Sequence, residues 1–176
     1  MKKSVLLLFF AGCVATGIFG IGRKIPMNRV NDLGQREGYW RDSVGGGFVY
    51  DLYYKGGKKD GLYKRFYRNK LFLFWEYTAD NISGTWYMFG DEGELRCTID
   101  SIELNKDSIY TGYCRIFCKY KCHSIDYYPS GAVKSEGYMV CDEEFEIEIW
   151  EIGEWKYYDE SGNLIKTKDY GDRRTP

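Results

Sequence analysis

The segment Cys114-Arg115-Ile116-Phe117-Cys118-Lys119-Tyr120-Lys121-Cys122-His123 holds three thiols and the chain's single imidazole within ten residues. Thiolate and imidazole groups make a tetrahedral zinc site when all four reach one ion at about 2.0–2.3 Å. Ile116, Phe117 and Tyr120 favour an extended strand, and no capping residue opens a helix there. On a strand rising about 3.3 Å per residue, cysteines four apart stand roughly 13 Å from one another, too far to share one ion. Disulfides or structural thiols are therefore expected ahead of a metal, and no cofactor is expected.

A Cys/His nucleophile and base is the second chemistry this composition suggests, with His123 as the base. Neighbouring residues of a strand point to opposite faces, so neither Cys122 nor Cys118, five residues away, can be activated by His123 within one strand. The alternation of Glu144, Glu146 and Glu148 with Phe145, Ile147 and Ile149 sets three carboxylates on one strand face. Such a row suits a hard cation, but alternation of this kind specifies a solvated face over an apolar one, which is the expectation. Basic and aromatic residues interleave from Tyr53 to Arg68, and Lys58, Lys59, Lys64, Arg65 and Arg68 form a candidate binding surface. An exported chain makes anionic envelope components or acidic glycans better ligands for it than nucleic acid. No enzymatic activity is expected.

These residues must be carried by a recurring element. Gly38-Tyr39-Trp40, Gly61-Leu62-Tyr63 and Gly84-Thr85-Trp86 begin at intervals of 23 residues, and Gly153-Glu154-Trp155 follows 69 residues after the third. Phe89 and Tyr158, Gly93 and Gly162, and Leu95 and Leu164 keep the same offset. Each unit reads as a strand, a glycine turn and a second strand, with Trp40, Tyr63, Trp86 and Trp155 as repeat core rather than exposed platforms for sugar. Turns are expected at Glu92-Gly93, Ser130-Gly131, Ser161-Gly162 and Arg68-Asn69-Lys70. An all-β fold of consecutive antiparallel hairpins forming an elongated twisted sheet follows, because one hairpin alone is barely stable and neighbours must share a sheet.

Composition agrees. The 176 residues are 44% hydrophobic and 18% aromatic, with 21 Gly and 3 Pro, so strands are favoured and glycine must make the turns. Net charge is −1, which gives no global field for nucleic acid. Residues 1–22 read as an export signal or anchor: Lys2 and Lys3 precede an apolar run beginning at Val5. Three outcomes stay open: lipidation at Cys13, ordinary cleavage after Gly17, or an uncleaved anchor from Val5 to Ile21. Each places the mature chain outside the cytoplasm, in the periplasm or cell envelope. A linker (23–36), the repeat domain (37–170) and a tail (171–176) complete the expected organisation.

Export makes disulfides the default for the remaining cysteines. A hairpin turning at Asn105-Lys106 would set Cys97 opposite Cys114, and one turning at Ser130-Gly131 brings Cys122 within two positions of Cys141. Cys118 is left over.

The stretches Tyr127-Tyr128-Pro129-Ser130-Gly131-Ala132-Val133-Lys134-Ser135-Glu136-Gly137-Tyr138 and Gly153-Glu154-Trp155-Lys156-Tyr157-Tyr158-Asp159-Glu160-Ser161-Gly162-Asn163-Leu164 resemble the bacterial family of MORN-repeat variants. That resemblance implies repeated β-hairpins without catalytic residues or cofactor, and many members of the family are labelled antitoxins. Two functions are therefore expected. One is an envelope-associated binding or structural module for a protein or glycan partner; the alternative is an antitoxin-like or immunity-type protein that neutralises a toxin by direct binding.

Overall fold

The structure, a computed structural model, describes residues 26–106, 118–141 and 149–171. Every regular element among them is a strand. In chain order these are β1 (Arg29–Val30), β2 (Arg36–Val44), β3 (Phe48–Lys55), β4 (Lys58–Lys59), β5 (Gly61–Tyr67), β6 (Lys70–Thr78), β7 (Asn81–Phe89), β8 (Leu95–Leu104), β9 (Tyr120–Tyr127), β10 (Val133–Cys141), β11 (Ile149–Tyr158) and β12 (Leu164–Asp169). They form one open antiparallel sheet in sequence order, with only the short β4 off the main path, paired to β3. β1 and its turn lie in the stretch expected to be a linker. The residues flagged as export signal, the segment containing Cys114 and the row Glu144, Glu146 and Glu148 lie outside the described residues.

Two turn designs join the strands, and each follows from its residues. At Gly93, Gly131 and Gly162 the amide donates to the carbonyl three residues earlier, and φ is +84°, +84° and +82°. Glycine enters that region without the clash a Cβ would make. The second design has two residues, both at positive φ: Gly56-Gly57, Arg68-Asn69 and Ala79-Asp80. This left-handed pair matches the strand twist and closes the tightest hairpins. Ala79, at φ +48°, is the misfit. Left-handed backbone costs an L-residue about 1–2 kcal/mol, against about 0.5–1 kcal/mol of extra entropy lost by glycine. Ala79→Gly is expected to stabilise the chain by about 0.5–1 kcal/mol, which a thermal melt would show as a rise of a few degrees.

Two of the recurring Gly-x-aromatic triplets, at Gly84 and Gly153, form bulges, whereas the β2–β3 ladder runs past Gly38 without a register shift. Gly38, Gly61, Gly84 and Gly153 all have positive φ, at +76°, +129°, +73° and +61°. In β7 the pairing with β6 jumps from Phe74↔Tyr87 to Glu76↔Ser83, so the single residue Trp75 opposes the stretch Gly84 to Trp86. In β11 the jump from Glu136↔Lys156 to Tyr138↔Ile152 sets Gly137 against Gly153 to Trp155. Extra residues on one strand sharpen twist and re-aim the next side chain. At these two bulges the aromatic two residues after the glycine is turned inward, onto the face that Trp40 and Tyr63 reach in regular register.

That inner face carries the core. Trp40 pairs with Leu52, Tyr63 with Trp75, Trp86 with Ile99, Ile99 with Ser124, Ser124 with Gly137, and Trp155 with Lys168. All four repeat aromatics therefore lie in one cross-strand row and belong to one hydrophobic cluster. Ring centroids lie 4.3 Å apart for Tyr63 and Trp75 and 5.9 Å apart for Trp75 and Trp86. The row on the opposite, outer face runs unbroken from β2 to β12 through Arg41, Asp51, Lys64, Phe74, Tyr87, Thr98, Ile125, Glu136, Lys156 and Thr167. A second, smaller apolar cluster of Cys118, Val140 and Ile152 with Trp150 sits on that outer side.

Trp86 and Trp155 are 69 residues apart, three sequence periods, and three strands, β8, β9 and β10, lie between β7 and β11. One expectation is corrected: β8 does not turn back at Asn105-Lys106, for it pairs with β9, and Asp126, not Cys114, stands opposite Cys97.

Candidate binding faces

Alternation along β9 sends Cys122, Ser124 and Asp126 inward and Lys121, His123 and Ile125 outward. His123 accordingly sits beside Asp100, with Nδ1 and Oδ1 3.5 Å apart, and packs edge-on against Tyr138. Cys97 and Cys122 face the other way. Cys97 is buried, its Sγ lies 3.5 Å from the Ser124 hydroxyl, and burial pushes its thiol up to about 12. A thiol so firmly protonated is a poor nucleophile.

No disulfide joins Cys97, Cys118, Cys122 or Cys141 to one another. Cys114, the partner expected for Cys97, lies outside the described residues, and Asp126 of β9 stands opposite Cys97. Cys122 and Cys141 are brought together: their sulfurs are 3.8 Å apart, offset by two residues across β9 and β10. A modest approach would bring them to bonding distance. Exposure to a thiol oxidant of the disulfide class is expected to remove two protons and two electrons from this pair. The intact mass would fall by about 2 Da, and one linked peptide would contain Cys122 and Cys141.

The five basic residues flagged as a binding surface do not form one. Lys58 and Lys59 lie at one end of the sheet beside the Gly56-Gly57 turn, whereas Arg68 lies in the turn at the other end of β5, about 20 Å away. Lys64 and Arg65 are adjacent in a strand and so face opposite sides. Lys64 joins the outer row beside Asp51, and Arg65 points inward with its guanidinium 4.5 Å from the Phe48 ring centroid. Lys59 and Arg68 similarly lie over the rings of Tyr77 and Tyr67.

Asp51, 3% exposed, is the most buried charge on the outer face, and Arg41 grips it with two contacts of 2.6 and 2.7 Å. Burial works to raise its pKa, but the hydrogen bonds from Arg41 and Tyr39 outweigh it and hold the carboxyl below its ordinary value. A depressed carboxylate stabilises the fold above the unfolded pKa, and that contribution is lost as pH falls through the folded value. The Arg41 head is half in water, so Asp51→Asn is expected to cost about 1–2 kcal/mol at pH 7. The gap in melting temperature between variant and parent should narrow as the pH falls below the ordinary carboxylate value, and melts over a series of acid pH values would show it.

The outer face displays rings. Phe74 stacks with Tyr87 at 4.7 Å and with Phe89 at 5.9 Å, the planes within 20° of parallel. Tyr53 and Tyr138 are 45% and 48% exposed.

The inner face holds a cavity of about 520 Å³ lined from β5 to β11. Trp86, Ile99, Met88, Met139 and Trp155 supply apolar walls, and Arg65, Asp126, Ser135, Glu151 and Tyr157 supply polar groups. The Ser135 hydroxyl donates to Asp126 at 2.8 Å, and the Tyr157 and Tyr170 hydroxyls are 2.8 Å apart. Sequence reasoning missed Asp126 and Glu151. Asp126 was legible from the alternation Cys122, Ser124, Asp126; Glu151 was passed over beside the row Glu144, Glu146 and Glu148.

Among the described residues no group of three or more His, Cys, Asp or Glu side chains is placed to hold a metal ion. Comparison of the chain with protein-family models, with curated proteins and with solved structures gives no match.

Proposed function

We propose that this chain is an exported, non-catalytic module that binds a protein or glycan partner on the outer face of its sheet. The observation that carries the proposal is a division of labour between the two faces. The inner row of Trp40, Tyr63, Trp75, Trp86 and Trp155 builds the core, which leaves Tyr53 and Tyr138 exposed and the stacked rings of Phe74, Tyr87 and Phe89 partly exposed on the outer face. A sheet held by its other face presents such rings at little conformational cost, the condition for recognition by preformed aromatic surfaces. The placement of His123 and the inward cysteines on opposite faces supports the absence of catalysis.

The test is made in cells with the full chain. A photo-reactive phenylalanine analogue at Tyr87 is expected to give one discrete adduct in the envelope fraction, and the same analogue at Lys168, on the inner face, none. Equal labelling from both positions, no adduct from either, or a chain recovered wholly in the cytoplasm would refute the proposal.

A further inference from the structure

The inner cavity is a separate feature from the displayed outer rings, and we infer that it is a binding site for a small organic cation, an ammonium on an apolar or aromatic body. Its volume, about 520 Å³, falls within the range of small-molecule sites. The aromatic rings of Trp86, Trp155 and Tyr157 border it, and such rings attract a cation through the negative charge of their faces.

Two carboxylates, Asp126 on β9 and Glu151 on β11, line the same space, and both lie near the Tyr157 phenol, whose ionisation they oppose. Among the described residues no lysine or arginine stands within ion-pair distance of either carboxylate. The one cation in the lining, Arg65, enters from β5, with β6, β7 and β8 between it and Asp126, and its guanidinium is held over Phe48. A neutral apolar guest would take water from two carboxylates and give nothing back, and an anion would be repelled by them. A cation answers both charges.

The test uses the intact chain with benzyltrimethylammonium as probe and phenylacetate as the anionic counterpart of similar size. Titration followed by indole N–H resonances is expected to show saturable binding of the cation. The Trp86 and Trp155 signals should move, and that of Trp150, on the outer face, should stay in place. Phenylacetate should leave all of them unchanged. Asp126→Asn and Glu151→Gln are each expected to weaken the cation about tenfold, and raised salt should weaken it further. Equal binding of phenylacetate, a shift confined to Trp150, no saturable shift with up to ~10 mM cation, or folded variants that bind as well as the parent would overturn the inference. The parent titration decides the matter even if a variant fails to fold, and it is independent of the outer-face crosslinks.

Discussion

Trp75→Ala is expected to lower stability by about 3–5 kcal/mol, a fall in melting temperature of roughly 6–20 °C. Trp75 is 3% exposed and stands at the centre of the inner row, its ring 4.3 Å from Tyr63, 5.9 Å from Tyr77 and 5.9 Å from Trp86. Nothing small fits the space it leaves, because the bulge opposite holds Trp86 in place and Tyr63 belongs to the next strand. The loss therefore combines transfer free energy with a cavity that relaxes only in part. Tyr87→Ala, on the outer face, should cost less, since that ring is only partly buried. Thermal melts of the two variants would check the contrast: comparable losses would mean that the core does not lie on the inner face alone.

The second large effect is steric. A Cβ on Gly137 would meet Trp155 ring carbons at 2.5 Å, closer than any real contact allows. The ring cannot simply move away, for it is 5% exposed and its Nε1 donates to the Tyr138 carbonyl at 2.8 Å. Gly137→Ala must push the indole out of its seat, with an expected cost of about 2–4 kcal/mol from overpacking and the weakened hydrogen bond. Here glycine is required by a close approach and not by backbone conformation, since Gly137 is absent from the positive-φ positions. Trp155→Leu in the Gly137→Ala background should recover part of the loss. A double-mutant cycle of denaturant melts would measure the coupling, and additive costs would show that the ring does not cover Gly137.

Much of the architecture was legible in the residues. Glycine at 93, 131 and 162 marked three turns whose positive φ no other residue enters so cheaply, and Arg68-Asn69 marked a fourth. The Gly-x-aromatic spacing named the core positions, although the bulges that accompany it at Gly84 and Gly153 are visible only in the pairing. The Ala79-Asp80 turn carried no signal, because alanine has no preference for left-handed backbone. The Gly56-Gly57 turn did carry one, a dipeptide favoured in such hairpins, and it was passed over within a run of lysines.

The register of β8 was not legible, and the reason is physical. Setting Cys97 against Cys114 or against Asp126 differs by a slip of twelve residues. An even slip leaves the same side chains inward, so hydrophobic pattern cannot choose between them. The choice falls to the length of the connection, which local turn propensity does not report. The basic surface failed for the opposite reason: closeness in sequence was taken for closeness in space, whereas Lys64 and Arg65 point to opposite faces. The cavity was invisible because its lining comes from seven strands, each adding only one to three residues.

The account depends on recurring aromatics falling in one row across paired strands, and backbone nuclear Overhauser effects test this most directly. Contacts joining Trp86 to Ile99, Ile99 to Ser124 and Ser124 to Gly137 are expected, in a continuous chain across β7 to β10. Contacts joining Cys97 to Cys114 instead, or Ile99 to any strand other than β7 and β9, would contradict it.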